Sequence, residues 1–279
     1  MKLGETGSGF VSRKAAIFSG SGIENTTDSV TVEEPLEVSV QDKSGRLFRA
    51  GIIMRTPSAD DYLSVGFLHS EGYIKPGTEI YAVEGVDSGG ISRENSVRLI
   101  VSHVEESASI PYGSRLVNSS CGICGKASLD EIYLRVGRLQ RSRITVKAET
   151  VLSLPDIMRR KQRIFSSTGG LHAAGLFTAD GSPLFVGEDI GRHNAVDKVI
   201  GWSVMNSTDL HDKILQVSGR AGFEIVQKAA VSGIPVVCSV SAPSSLAVDL
   251  CDALGITLIC FVREKRFNIY TNGERVSLS

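Results

Sequence analysis

The stretch ILQVSGRAGFEIVQKAAVSGIPVVCSVSAPSSLAVDLCDALGITLICF, residues 214–261, decides the fold of this chain. Three short apolar runs alternate with two helical patterns, and a polar loop follows each run. The predicted strands are Ile214–Val217, 235–239 and 256–261, and the predicted helices run from Ala221 to about Val231 and from Ser245 to about Leu254. A β-α-β-α-β order implies parallel strands with right-handed crossovers, so this half of the chain is predicted to be an α/β domain.

Small polar and basic residues fill the loops at the ends of these strands. Ser218-Gly219-Arg220 follows the first strand, residues 241–245 follow the second, and Arg263, Lys265 and Arg266 follow the third. Open α/β sheets bind ligands at this edge, and helix N-termini with small residues suit anions. Ordinary helix caps and a solvated turn are one interpretation, and a phosphate-bearing ligand such as a nucleotide-tailed cofactor is the other. Without a Walker A or G-x-G-x-x-G motif, neither an ATPase nor a Rossmann dehydrogenase is favoured.

A lone C-x-x-C is formed by Cys121 and Cys124, with Gly122 inside the motif and Gly125 directly after it. The adjacent Lys126 and a helix predicted over 127–137 would both favour the reactive thiolate. Half a zinc site is one interpretation, although His172 and His193 could complete it only by distant convergence. A thioredoxin-type disulfide is another, but that motif should follow the first strand of a βαβ unit. Nucleophilic or carrier use of one thiol is the third.

Composition limits the class of protein. The chain has 279 residues, is 42% hydrophobic and carries a formal net charge of −1, which allows a sizeable core and one or two domains. This charge balance gives no general footprint for nucleic acid or a membrane surface, and no apolar run reaches the length of a membrane span. No signal-peptide pattern is present, and five cysteines suggest a reducing cytoplasm. Cys238, Cys251 and Cys260 are predicted to be small core residues.

The organisation of the chain is read as three parts. Residues 1–30 are rich in Gly, Ser and Thr and are predicted to be a poorly ordered tail. Residues 31–125 form a β-rich N-terminal region that ends in the C-x-x-C loop, and residues 126–279 form the α/β domain. The β-rich N-terminal region is predicted to contain strands at 36–40, Leu47–Arg55 and 97–101. It is also predicted to contain one helix, which Ser58 caps and which has Asp60 and Asp61 in its first turn. At the C-terminus, 267–270 and 275–278 are predicted to form a hairpin closed by Asn272-Gly273.

Two polar, glycine-rich segments, 165–174 and 187–198, are each predicted to pass from an extended run into a helix. In the second segment, His193 and Asp197 share a helix face, and so do Asn194 and Lys198. A paired salt-bridge face is the simpler interpretation. Because polar strand-to-helix turns also form α/β sites, both segments could wall the cleft.

Five motifs carry a resemblance to a known family. They are CGICG at 121–125, STGGLH at 167–172, EDIGRHNAVDK at 188–198, SGR at 218–220 and SAPSSLA at 241–247. With these motifs in this order, the chain resembles the FdhD-type accessory sulfurtransferases of formate dehydrogenase over residues 31–279. The long third motif is highly specific, whereas the C-x-x-C alone is not.

The resemblance implies a cytidine-deaminase-like three-layer α/β domain with a mostly parallel sheet, plus the smaller β-rich N-terminal region. Deamination itself is not expected. Deaminases need a glutamate two residues after a zinc ligand, and His172-Ala173-Ala174 lacks it. The segment 243–247 also lacks the two cysteines that would complete the metal site. A shared fold therefore does not fix the function.

The resemblance also implies a role in sulfur transfer. A cysteine desulfurase would load persulfide sulfur onto Cys121, with Cys124 as its helper. The protein would pass this sulfur to molybdenum bis(molybdopterin guanine dinucleotide), a bound substrate destined for apo-formate dehydrogenase. The residues implied to hold it are Phe261, Val262, Arg263, Glu264, Lys265 and Arg266, with Arg220 added from the loop chemistry. A cytoplasmic homodimer without a resident metal is expected; a dithiol redox regulator with a nucleotide site and a non-catalytic cofactor chaperone remain alternatives.

Overall fold

The computed structural model describes residues 9–86, 93–105, 116–117, 142 and 144–278. Cys121, Cys124 and the helix predicted over 127–137 lie outside the described residues, so those predictions stay untested by the fold. The boundary predicted at residues 125/126 lies there as well, and the division into regions stays a prediction.

The described strands are β1 (Phe10–Ser19), β2 (Gly22–Thr31), β3 (Glu34–Asp42), β4 (Leu47–Arg55), β5 (Ile80–Gly85), β6 (Ser96–Val101), β7 (Leu116–Val117), β8 (Val146–Lys147), β9 (His172–Phe177), β10 (Pro183–Asp189), β11 (Ile214–Val217), β12 (Val236–Ser239), β13 (Thr257–Arg263), β14 (Arg266–Thr271) and β15 (Val276–Ser277). The described α-helices are α1 (Asp60–Glu71), α2 (Ala148–Lys161), α3 (Arg163–Thr168), α4 (Arg192–Met205), α5 (Phe223–Val231) and α6 (Ser245–Leu254).

The larger sheet has six strands in the order β10-β9-β11-β12-β13-β14. The predicted β-α-β-α-β unit is confirmed, because β11 pairs with β12 and β12 with β13 in parallel. The remaining neighbours, β10–β9, β9–β11 and β13–β14, pair antiparallel. Four strands, β10, β11, β12 and β13, therefore run in one direction, and β9 and β14 run against them.

Side chains alternate between the two faces of this sheet and bury it on both sides. Leu215, Val237 and Leu258 point to the face covered by α4, α5 and α6. Ile214, Val236 and Ile259 point to the opposite face, which Val151, Leu154 and Met158 of α2 cover. Because the side-chain period of a strand is two, neighbouring residues serve opposite cores. The result is the three-layer α/β arrangement that was predicted.

The smaller sheet has five described strands in the order β5-β6-β3-β4-β7. The three strands predicted in this region are confirmed as β3, β4 and β6. Its core is closed by α1, whose Leu63 and Leu68 are fully buried. Ser58 does not cap α1 as predicted: the helix begins after Ala59, which has φ 50° and gives no side-chain cap. The Ser58 hydroxyl instead accepts a hydrogen bond from Lys198 Nζ at 3.2 Å.

Helix α1 crosses α4 at two glycines and thereby joins the two sheets. A Cβ on Gly66 would overlap the carbonyl oxygen of Asp197, and one on Gly201 would overlap that of Tyr62. Only the absence of both side chains lets the two backbones touch, as at other close helix crossings through small residues. The start of α4 lies beside the end of β4, where Asn194 Nδ2 donates to Met54 O at 2.8 Å.

Three local predictions differ from the structure. In the part of the predicted tail that the structure describes, from residue 9, β1 and β2 form a regular antiparallel hairpin instead of poorly ordered chain. Segment 165–174 runs from helix α3 into strand β9, the reverse of the predicted order. The prediction of a C-terminal hairpin is wrong as well, because β14 pairs with β13 and β15 pairs in parallel with β8. In each case the partner strand or preceding helix is set by tertiary contacts that local patterns do not carry.

Candidate functional site

The loops after the three parallel strands meet at one edge of the six-stranded sheet. Ala221 donates its backbone N–H to Ala242 O at 3.1 Å, and Ser244 N donates to Ala221 O at 3.1 Å. Phe261 N donates to Ser241 O, also at 3.1 Å. These bonds tie the loop after β11 to the loop after β12, and that loop to β13. The carboxyl ends of the strands therefore form one continuous surface.

The segment from Phe261 to Arg266 is a tight hairpin rather than the loop that was expected after residue 261. Strand β13 continues through Arg263, which pairs across the turn with Arg266. Phe261 has φ 54°, in the left-handed region that costs a non-glycine residue about 1–3 kcal/mol, and an irregular register follows it. The tip of the hairpin, Arg263 to Arg266, is exposed.

The predicted cofactor-binding residues therefore fall into two groups. Arg263, Glu264, Lys265 and Arg266 are exposed, whereas Val262 is only 1% exposed and belongs to the core under α2. Phe261 is half-buried and packs on the opposite core. Arg220 is exposed in the loop after β11, which lies two strand spacings, or about 10 Å, from β13. Within the part of the chain that the structure describes, these cations form no ion pair.

A second polar cluster lies at the same edge, beside β11. It consists of His172 at the start of β9, Arg192 and His193 at the start of α4, and Glu224 in the first turn of α5. His193 Nε2 and Glu224 Oε2 are 2.7 Å apart. Burial, together with the charges of Arg192 and His193, lowers the pKa of His172 below its usual value. Sequence reasoning placed both histidines near the cleft but missed Glu224, because its partner is distant in sequence.

One buried carboxylate fixes the start of α4. Asp189 Oδ1 accepts hydrogen bonds from Gly191 N at 2.9 Å and from Asn194 Nδ2 at 2.8 Å. Asp189 Oδ2 accepts from Lys198 Nζ at 2.7 Å and from Thr56 N at 3.2 Å. Four donors from two regions of the chain thus converge on one side chain, which holds Arg192 and His193 against the cleft.

The predicted i, i+4 pairs on α4 are not formed. Asp197 instead accepts two hydrogen bonds from Lys228 Nζ, at 2.8 and 2.9 Å, and one from Ser70 at 2.9 Å. Asn194 and Lys198 both turn to Asp189. The helix is buried on nearly all sides, so its polar groups find partners on neighbouring elements rather than on a solvated face. Burial raises the pKa of Asp197, although Lys228 opposes the shift.

Three cysteines lie in the core, as the sequence predicts. Cys238, Cys251 and Cys260 are fully buried core residues. Desolvation raises the pKa of each thiol, and that of Cys260 reaches about 12. Among the residues that the structure describes, no group of three or more His, Cys, Asp or Glu side chains is arranged to hold a metal ion. The described helices also include none that is long and apolar enough to cross a membrane.

A mixed three-layer α/β protein with a polar, cationic cleft is the class that fold and site define. The FdhD/NarQ family model matches residues 31–277, and the chain belongs to this family. It is 53% identical over 251 residues to the sulfur carrier protein FdhD of Thermoplasma volcanium, covering 90% of each chain. It is also 47% identical to the protein of that name from Thermoplasma acidophilum, covering 92% of this chain and 89% of the relative.

Comparison with solved structures supports the fold. A candidate formate dehydrogenase accessory protein from Desulfotalea psychrophila superposes with a TM-score of 0.73 and 22% identity, covering 96% of this chain and 99% of that one. A guanine deaminase from Nitrosomonas europaea reaches a TM-score of only 0.31 over 54% of this chain. The specific likeness to deaminases therefore stays a prediction.

Proposed function

We propose that the protein is a sulfur carrier that serves formate dehydrogenase. It accepts persulfide sulfur from a cysteine desulfurase on Cys121 and passes it to molybdenum bis(molybdopterin guanine dinucleotide) before the cofactor is inserted. The observation that carries this proposal is the 53% identity, over 90% of both chains, to a protein named as a sulfur carrier. The C-x-x-C provides the thiols that such chemistry requires.

The loading step needs only thiol–disulfide exchange. The Cys121 thiolate attacks the outer sulfur of the desulfurase persulfide, the donor's S–S bond breaks, and the donor cysteine leaves as a thiolate. A persulfide remains on Cys121, and no external oxidant is consumed. Cys124 could then release the sulfur as sulfide by closing a disulfide with Cys121, or it could relay the sulfur onward. The three buried cysteines take no part, since their raised pKa keeps them protonated.

The exposed hairpin is the proposed contact for the cofactor's phosphate groups. Arg263 and Arg266 lie directly opposite each other across the two strands, an arrangement of like charges that costs stability. Lys265 at the tip adds a third positive charge. An anionic ligand would relieve this repulsion and gain charge-assisted hydrogen bonds, each contributing about 1.5–3 kcal/mol. Arg220 lies at the same edge and extends the positive surface.

Loading of Cys121 is the direct test of the proposal. The purified protein is incubated with a cysteine desulfurase and cysteine, and the C-x-x-C peptide is weighed by mass spectrometry. A carrier gains the mass of one sulfur atom, whereas a redox regulator only loses two hydrogens and a pure chaperone does not change. We expect Cys121→Ala to abolish both loading and dehydrogenase maturation. A Cys121→Ala protein that still matured the dehydrogenase fully would disprove the assignment.

Cys238→Ala is the matched control, because it removes a buried thiol that the proposal does not use. It should keep full loading at Cys121 while lowering thermal stability. The proposal also includes a cytoplasmic homodimer. Light scattering after size-exclusion chromatography measures the oligomeric state directly.

A further inference from the structure

The polar cluster beside β11 lies apart from the cationic hairpin. We propose that His172, Arg192 and the His193–Glu224 pair form a separate oxyanion subsite that binds a phosphate group of the nucleotide-bearing cofactor. The choice of cofactor rests on the proposed function, whereas the oxyanion chemistry rests on the cluster itself. His172 and Arg192 come from β9 and α4, so their meeting at this edge is a product of the fold.

Gly219 brings the backbone of the loop after β11 close to His172 and Arg192. A Cβ built on Gly219 would lie 3.3 Å from His172 Nδ1 and 3.8 Å from Arg192 Cδ. The imidazole and the arginine stem therefore both border the backbone of the loop that follows β11. Ser239 Oγ donates to Gly219 O at 2.6 Å and holds this peptide in place. Only a glycine lets this backbone approach the imidazole and the arginine stem so closely.

The charge of the cluster favours an anion. Glu224 pairs with His193, and Asp189 pairs with Lys198. The two carboxylates near the cluster are therefore already bound to other groups. Arg192 has no carboxylate partner among the residues that the structure describes. It is also the first residue of α4, a helix of 14 residues with no acidic residue in its first turn and no side-chain cap. The positive end of the helix dipole adds to the arginine charge.

His172 makes the subsite sensitive to pH. The charged or titratable groups that face it are Arg192, His193 and Asp189, with Glu224 behind His193. Burial, Arg192 and His193 lower its pKa, so the imidazole is neutral at neutral pH. An anion beside Arg192 would favour the protonated imidazole and raise its pKa. Binding should therefore take up a proton, and affinity should rise as the pH falls.

Calorimetric titration with sulfate tests the subsite, because sulfate keeps its charge between about pH 5 and 8, where histidine titrates. Measurements in buffers of different ionisation heat report proton uptake. For the wild type we expect partial uptake of a proton, about half a proton at most, and an affinity about tenfold higher at the acid end, equivalent to one unit of pKa shift. His172→Gln should abolish both effects. Arg192→Ala should weaken sulfate binding at least tenfold at every pH.

Arg160→Ala is the matched control, since Arg160 is an exposed arginine at the far end of α2. It should bind sulfate like the wild type. Gly219→Ala crowds the His172 imidazole without changing charge and should weaken binding. This second variant keeps the test decisive if Arg192→Ala folds poorly by circular dichroism. Equal sulfate affinity in Arg192→Ala, Gly219→Ala and Arg160→Ala would overturn the subsite, as would unchanged proton uptake in His172→Gln.

Titration with guanosine diphosphate tests whether the bound anion is a phosphate of the nucleotide-bearing cofactor or free phosphate. A tenfold loss in Arg192→Ala supports a phosphate of the cofactor as the occupant, whereas a loss for sulfate alone would contradict that part of the proposal. Sulfur loading of the wild-type Cys121 is scored independently. Its failure would remove the proposed function, while the sulfate results would still decide whether the oxyanion subsite exists.

Discussion

Two sets of charged residues at the cleft edge have opposite environments. Asp189 and Lys198 are completely buried and hydrogen-bonded to each other at 2.7 Å. Arg263, Lys265 and Arg266 extend into solvent at the tip of a hairpin and have no ion partner in the described part of the chain. The contrast separates charge that organises the fold from charge that is available to a ligand.

The physical reason is desolvation. A buried ion pair repays the cost of leaving water only when every partner is in place, so removal of one member leaves an uncompensated charge. Exposed charges keep their hydration, and their pairwise contributions are mostly below about 1 kcal/mol. Substitutions at the buried pair should therefore act on stability, and substitutions at the hairpin should act on binding.

The largest expected effect is that of Lys198→Met. It leaves Asp189 buried without its cation and also removes hydrogen bonds to Thr56 O and Glu188 O. We expect the free energy of unfolding to fall by about 3–5 kcal/mol. Lys265→Met is the matched control on the exposed hairpin and should change the free energy of unfolding by about 0.5 kcal/mol or less. Chemical denaturation measures both, and equal losses for the two variants would erase the distinction between the regions.

Gly201→Ala tests how the buried region is held together. The added methyl would overlap the Tyr62 carbonyl and force α1 and α4 apart. Overpacking of this kind costs about 1–3 kcal/mol. Gly20→Ala is the control, since a Cβ there meets no atom within 4 Å. Thermal unfolding should show a clear loss for the first variant only, and a neutral Gly201→Ala would mean that the crossing is less tight than described.

On the exposed side, Arg263→Ala and Arg266→Ala should each weaken binding of guanosine diphosphate about tenfold, equivalent to 1.4 kcal/mol. Affinity should also fall as salt rises, because exposed charges are screened. Calorimetry measures these affinities, with Arg160→Ala as the arginine control. Unaltered binding in the Arg263/Arg266 double variant would place the phosphate contacts elsewhere. Stability should remain within about 0.5 kcal/mol of the wild type in both single variants.

The smallest expected effect concerns the reactivity of the cysteines in the unsubstituted protein. The pKa values of Cys238, Cys251 and Cys260 are raised by burial, so these thiols stay protonated at about pH 8 and are shielded from reagents. Alkylation of the native protein should therefore stop at two thiols, Cys121 and Cys124, and denaturant should release the other three. Mass spectrometry counts the labels. Rapid native labelling of Cys238 would contradict its place in the core.

Much of the second half was predictable because its signals are local. The strands β11, β12 and β13 are short apolar runs, and helices α5 and α6 follow them with clear periodicity. Parallel order then follows from the helical crossovers that join the strands, and the shared edge of the loops follows from parallel order. The buried cysteines were predictable for the same reason, since each lies within an apolar pattern.

The rest depended on contacts between distant residues. Sequence alone determined the parallel β-α-β-α-β unit, the cationic edge and the core cysteines, because these depend on neighbours within a few residues. Only the tertiary structure decided that Lys198 pairs with Asp189, that His193 meets Glu224 and that β14 joins β13 rather than the C-terminal strand. A buried polar group must find a partner wherever packing supplies one, and helix spacing cannot reveal a partner on another element.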